Sequence, residues 1–468
     1  MPAEWEAHEA TWLAWPHELT DWPGKFAPIP WAFAEIVRHL ARVERVFLLV
    51  ESRDAEERAK TILRKAGVDL EAIDFFYVPT DRGWMRDSGP IAVVEGGAAI
   101  GAGVDIGERS LDSGPRRAET ARREKARDFA RDDSPHASRA LSNPKREETA
   151  QASAPLVPQG TFAGLSASER DDSAQESGAL LDDDAAAGIA ELAKSAEVAA
   201  KELAVGAIES GKIAGPTSAM PQRENLALLN FAFNGWAKYD DHKKDAKAAA
   251  YVHRRLRPKP PLILPEHKGK RVVLEGGAID VNGCGTLLTT EECLLSEVQP
   301  RNPGFTRFDY AQVFKKCFGV TNVVWLKNGI AGDDTHGHVD DLARFVDETT
   351  VVTVVEDDPA EMNYPELQEN LALLRSAKDQ AGEPLRVETL PMPRAVMFDG
   401  QRLPASYANF YIANRIVLVP MFNDRADLVA LNTLAALFPT REIVPIYCRD
   451  LVLGLGTIHC MTQQFPRV

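Results

Sequence analysis

Apolar residues recur along this chain at two spacings, one suited to strands and one to helices, and a single long stretch shows neither. Ala10-Thr-Trp-Leu-Ala-Trp-Pro16 predicts a short strand closed by proline. From Trp31 to Val43, the residues Trp31, Phe33, Ile36, Val37 and Leu40 can share one helical face, with Glu35, Arg38 and Arg42 elsewhere. Val46-Phe-Leu-Leu-Val50 and Phe75-Phe-Tyr-Val78 predict buried strands. Between them, Ala55 to Ala66 predicts a charged amphipathic helix that Gly67 can cap. Past Asn225 the pattern resumes. Arg271–Gly277, Gly285–Thr290, Val323–Leu326, Phe345-Val346, Thr350–Glu356, Leu385–Leu390, Ala408–Ala413, Ile416–Pro420 and Glu442–Ile446 predict strands. Glu366–Lys378 and Ala426–Phe438 predict helices. Strands mixed with helices make the class α/β. A unit of several strands and one helix, recurring a few times, is the expected organisation.

From about Gly101 to Asn225 the chain is rich in Ala, Ser, Asp, Glu and Arg and has almost no aromatics. Such a composition cannot bury enough apolar surface to offset its ordering entropy. We expect residues 101–225 to be a disordered, low-complexity insertion in a surface loop. Residues 1–100 and 226–468 would then be the folded part of the chain.

Composition narrows the function classes only a little. Hydrophobic residues make up 44% of the 468 and charged residues 26%, which suits a soluble globular protein. A net charge of −15 speaks against nucleic acid as partner and would attract a small cation, although solubility alone accounts for such a charge. The five cysteines are widely spaced and form no CxxC pair, so a reducing compartment is expected. There is no basic-then-apolar leader and no run approaching the ~20 apolar residues of a membrane span. A cytoplasmic protein without a membrane partner is the expectation.

Four polar segments carry candidate chemistry. Gly454-Leu-Gly-Thr-Ile-His-Cys460 sets one cysteine after a glycine-rich turn. A thiol attacks only as thiolate, and a shaped site can tune its pKa. The structural alternative is a buried, inert thiol. In Arg82-Gly-Trp-Met-Arg-Asp-Ser-Gly-Pro90, Asp87 follows Arg86. A neighbouring arginine would keep that carboxylate ionised and able to bind a guanidinium. In Asp333-Asp-Thr-His-Gly-His-Val-Asp-Asp341, strand spacing would put His338 and Asp340 on one face. His338 suits general acid and base work. The cluster His336, His338 and Asp340 also admits a metal site, but its spacing matches no known one and would leave Cys460 unexplained. In Leu274-Glu-Gly-Gly277, Glu275 could orient a histidine or could be a solvated strand end.

Taken together with Met1–Pro16 and Phe233-Asn-Gly-Trp-Ala-Lys-Tyr239, these segments resemble the agmatine deiminase family. That family belongs to the arginine-modifying pentein superfamily, with its bacterial-type peptidylarginine deiminase-like members. The resemblance covers nearly all of residues 1–100 and 226–468. It implies a five-bladed, pseudo-symmetric α/β propeller of ββαβ units with the active site on the central axis. It implies hydrolytic deimination of agmatine to N-carbamoylputrescine and ammonia, in putrescine biosynthesis. Cys460 would attack the guanidinium carbon, and Asp87 and Asp340 would clamp its nitrogens. His338 would protonate the departing ammonia and then activate water against a thiouronium intermediate. Glu275 would support the guanidinium or the histidine, Trp84 would pack on the substrate, and Asp334 would meet its distal amine. Neither metal nor organic cofactor would be needed, and a homodimer is the assembly considered. Free or peptidyl arginine is the alternative substrate, and a metal-dependent guanidine hydrolase releasing urea is the alternative mechanism.

Overall fold

The computed structural model describes residues 1–94 and 225–468. Apart from Asn225, the expected insertion over 101–225 lies outside the described residues. The strands on either side of residues 95–224 are direct partners. Ile91–Val94 runs antiparallel to Leu226–Leu229, with Val94 opposite Leu226.

Among the described residues, one sheet plan occurs five times. A first strand pairs antiparallel with a second, longer in four of the five sets, which pairs parallel with a third across a helical connection. Ile91–Val94, Leu226–Leu229 and Leu262–Ile263 form one such set, with the helix Ala248–Arg255 in the crossover. Asp280–Val281, Thr286–Thr290 and Asn322–Leu326 form the next, around the helix Arg307–Phe318. Ala343–Phe345, Thr350–Val355 and Arg386–Pro391 follow, around Tyr364–Ser376. Tyr411–Ala413, Ile416–Met421 and Glu442–Tyr447 enclose Asp427–Leu437. The last set joins the two ends of the chain. Gln463–Pro466 pairs antiparallel with His8–Ala14, which pairs parallel with Arg45–Val50, and Ile73–Tyr77 adds a fourth strand.

Parallel strands covered by helices read as continuous apolar runs, which is why Arg45–Val50 and Ile416–Met421 are so legible. The helix Ile29–Leu40 starts at a Pro28-Ile29-Pro30 turn and buries Phe33, Ile36, Val37 and Leu40. Trp31, expected on the same face, is 46% exposed. At one position after Pro30 it lies outside the i, i+3, i+4 stripe of the other four. The helix Arg53–Lys65 is capped by the Ser52 side chain and has acids in its first turn and bases in its last, which suits the helix dipole.

Two predicted strands are displaced. Arg271–Gly277 is a hairpin strand Lys270–Arg271, a single bridge at Val273 and then a tight helical turn Gly276–Ala278. Ala408–Ala413 pairs only from Tyr411. Both displacements have the same cause, a turn that precedes the first strand of each set. Met85–Ser88, Gly276–Ala278, Val339–Asp341 and Ile458–Met461 are such turns. His338 and Asp340 therefore belong to a turn and not to a strand, and the polar tips are the turns themselves. Among the described residues no helix is long and apolar enough to cross a membrane.

Candidate active site

These turns gather the polar residues singled out from sequence. Cys460 sits in the turn Ile458–Met461 and is buried. Its Sγ accepts from Asn409 Nδ2 at 3.1 Å and lies 3.7 Å from Asp340 Oδ2. The glycine-rich approach allows this packing. A Cβ on Gly456 would stand 3.0 Å from both Cys460 Cβ and the Trp84 ring. Burial pushes the Cys460 thiol well above 9.0, and the nearby Asp340, Asp341 and Asp87 charges push it further.

Asp340 is fully buried and bound from behind. Its Oδ2 meets His459 Nδ1 at 2.6 Å, while Oδ1 has no partner among the described residues. Burial opposes its ionisation, but His459 and His338 outweigh this and hold its pKa below the ordinary value. His459 Nε2 meets Glu4 Oε2 at 2.8 Å. Glu4 also pairs with Arg344 at 2.8 Å and Arg86 at 3.0 Å.

This corrects one expectation. Arg86 does not face Asp87. It pairs with Glu4 and donates to Gln464 Oε1 at 2.7 Å. Asp87 accepts instead from Trp236 Nε1 at 2.9 Å and from the Gly277 backbone N–H at 3.1 Å. Burial, chiefly, raises its pKa above 3.8. Its helical turn points Arg86 and Asp87 in different directions, so sequence adjacency does not make them a pair.

His338 lies beside both carboxylates. Its Nδ1 is 3.9 Å from Asp87 Oδ1 and 4.0 Å from Asp340 Oδ1. Burial disfavours the charged ring, but Asp87, Cys293 and Asp340 outweigh it and hold the proton well above 6.5. Glu275 is not a solvated strand end. It is fully buried and accepts from Arg301 Nε at 3.0 Å. His336 turns away from His338, with its Nε2 2.9 Å from Ser296 Oγ, so these two histidines and Asp340 do not form the metal cluster considered from sequence.

The four-group centre is open on one side. A cavity of about 420 Å³ reaches Cys460 and Asp87 past Trp84, Trp236 and Tyr239, with Asp21, Asp334 and Asp399 also in its wall. Asp334 is already engaged, by the Tyr239 hydroxyl and by Lys238. Sequence reasoning assigned no role to Glu4, Asn409, Trp236 or Arg301. Trp236 and Glu4 both lie in segments that carry the resemblance, Phe233–Tyr239 and Met1–Pro16, but neither spacing nor pattern links them to Cys460.

Gly277 lies at the focus of the site. A Cβ there would come 2.5 Å from His338 Nδ1, 3.0 Å from Asp87 Oδ1 and 3.1 Å from Asp340 Oδ2. Gly277→Ala should therefore displace the histidine. It should lower turnover by about 100-fold, as displacements near 1 Å do, and destabilise the protein by about 1–3 kcal/mol, as overpacking of a buried site does. Steady-state kinetics and a melting curve check this, and full activity in the variant contradicts it.

Comparison with known proteins gives the site a family context. The sequence pattern of the Porphyromonas-type peptidyl-arginine deiminases matches residues 1–108 and 213–466. The chain belongs to this family. It is 34% identical over 275 residues to the agmatine deiminase of Pseudomonas fluorescens, covering 54% of this chain and 73% of that protein. The solved structure of Enterococcus faecalis agmatine deiminase superposes with a TM-score of 0.66 at 21% identity, over 100% of this chain and 95% of that one. The C. jejuni agmatine deiminase gives 0.62 at 21% identity, over 99% and 95%. At that identity these two structures establish the fold. The deiminase family places the protein among enzymes acting on guanidino groups.

Proposed function

We propose that this deiminase hydrolyses agmatine to N-carbamoylputrescine and ammonia, as a step of putrescine biosynthesis. The observation that carries the proposal is a buried thiol 3.7 Å from one carboxylate, with a histidine between that carboxylate and a second one. Two acids on either side of a histidine fit a planar cation that needs paired acceptors and a proton for its leaving group. Asp87 and Asp340 hold the guanidinium nitrogens. The substrate's positive charge then offsets the acids that raise the thiol, and Cys460 releases its proton to solvent as the substrate binds. Cys460 Sγ bonds to the guanidinium carbon, and His338 gives its proton to the departing ammonia. A water then attacks the thiouronium carbon and His338 takes one of its protons; the C–S bond breaks to restore the thiolate, and the water's second proton leaves the new carbonyl oxygen for solvent. Glu275 acts by holding Arg301 and the ground beside His338. Trp84 covers the substrate.

The distal amine meets an acidic cavity wall. Asp334 is one candidate for it, although Lys238 already neutralises part of that carboxylate. Arg82, also in the wall, pairs with Asp21 at 3.0 Å, so Asp399 supplies the acid that favours an amine over the carboxylate of free arginine. Substrate competition tests this reading. The kcat/KM for agmatine should exceed that for L-arginine by about 100-fold or more, the discrimination expected of about 2.7 kcal/mol. Preference for free or peptidyl arginine would replace the substrate and leave the chemistry.

The same proposal includes the five-bladed propeller and the single domain built from residues 1–100 and 226–468. Support comes from the repeated sheet plan and from functional turns that each precede a first strand. A cytoplasmic location and a homodimer belong to it as well.

A further inference from the structure

Cys293 is no reacting group in the chemistry above, yet it lies beside His338, the group that does most of the proton work, and helps to hold its proton. Its Sγ, a ring nitrogen of His338 and a carboxylate oxygen of Glu275 all lie within 4.8 Å of one another. All three residues are buried. Three elements hold them. Cys293 is in the turn that opens with Thr290, whose Oγ1 accepts from the Cys293 N–H at 3.1 Å. His338 has its backbone N–H on Asp333 Oδ2 at 3.0 Å. Glu275 is clamped by Arg301 through Oε1 only.

The cluster has unused coordinating capacity. Glu275 Oε2 has no hydrogen-bond partner among the described residues, and the His338 ring, with no well-aligned hydrogen bond at either nitrogen, has the Cys293 thiol as its polar neighbour on that side. Orphaned polar atoms at this depth are costly and call for an explanation. Sulfur, imidazole and carboxylate on three separate elements form the donor set of a zinc-type site. Asp87, in the wall of the cavity, is 3.9 Å from His338.

We propose that Glu275, Cys293 and His338 form an inhibitory site for a thiophilic divalent cation, with zinc as the representative ion. Binding takes the histidine lone pair and displaces its proton together with that of the thiol. The site then lacks the group that protonates ammonia and activates water. The cation acts as an off switch, in contrast to the activating metal of a guanidine hydrolase. Cys460 belongs to a different donor group, with Asp340 and Asp341. That difference makes the assignment separable.

The test is equilibrium dialysis of chelator-stripped full-length protein against zinc chloride, in the wild type, Cys293→Ser and Cys460→Ser. The site predicts one tight equivalent in the wild type and in Cys460→Ser, and its loss in Cys293→Ser. If Cys293→Ser fails to fold, Glu275→Gln should weaken that equivalent in its place. Retention in Cys293→Ser, loss in Cys460→Ser or no tight equivalent in the wild type would each overturn the proposal. The inhibition itself rests on the deiminase reading. It predicts that the half-inhibitory zinc concentration rises at least about ten-fold in Cys293→Ser, the loss seen even for outer-shell partners. Dialysis needs no turnover, so a failed activity and a failed site give different results.

Discussion

Cys460→Ser should lower agmatine turnover by at least about a thousand-fold, a loss of roughly 4 kcal/mol of transition-state stabilisation. The loss should fall on kcat, because the clamp of Asp87 and Asp340 stays in place and continues to bind the cation. Serine is nearly isosteric, so the buried site should remain packed, and Asn409 can still donate to the hydroxyl. Its alcohol is far less acidic than a thiol. The same carboxylates that raise the cysteine pKa would keep the serine protonated even with substrate bound. Substrate should therefore accumulate on the variant without forming an adduct. Intact-mass analysis after rapid quenching should show a covalent addition on the wild type and none on Cys460→Ser. Turnover within ten-fold of wild type would remove Cys460 from the role of nucleophile.

Glu4→Ala should destabilise the protein by about 3–5 kcal/mol, the cost of removing one partner from a buried ion pair. Glu4 is 5% exposed and touches Arg86, Arg344 and His459 together. Without it, two arginines stay buried with fewer anions, and Asp340 loses the carboxylate that fixes its histidine from behind. Glu4→Gln keeps the shape and should cost less. Chemical denaturation of both variants measures the difference. A change below about 1 kcal/mol in Glu4→Ala would show that the cluster carries no net stability. The pH dependence follows from the same group. Burial alone would raise the Glu4 pKa, but Arg344, His459 and Arg86 hold it well below 4.5. In the unfolded chain Glu4 protonates near its ordinary value, and in the folded chain only at lower pH. Its stabilisation is thus full above about 4.5 and is lost as pH falls through the folded pKa. Wild type should lose stability in that window more steeply than Glu4→Gln.

Much of the fold was legible because its strands are buried on both faces. Thr350–Val355, Ile416–Met421 and Arg45–Val50 fall within a residue or two of their apolar runs. The helix Arg307–Phe318 escaped notice, although Thr306 and Asp309 form a capping box at its start. Its interior mixes Lys315, Lys316 and Cys317 with aromatics and blurs the periodic stripe. The turns before each first strand were harder still. They are three or four residues long, and hydrophobic periodicity needs a longer window to register.

The site divides along the same line. Cys460, His338, Asp340 and Asp87 were visible as residue types able to do chemistry, and the fold brings them together. The pairing between them was not visible, because pairing depends on which turn faces which. Arg86 beside Asp87 was the natural pair in sequence, and in the folded chain Arg86 turns to Glu4. Asn409, 51 positions from Cys460, reaches the thiol only because two sheets present their leading turns to each other.

Product identification tests the central claim most directly. Purified full-length protein would be incubated with agmatine in the presence of a chelator, and the products resolved by mass spectrometry with a parallel ammonia assay. The account predicts N-carbamoylputrescine and ammonia in equal amounts. Putrescine and urea, formed only after metal is restored, would contradict it.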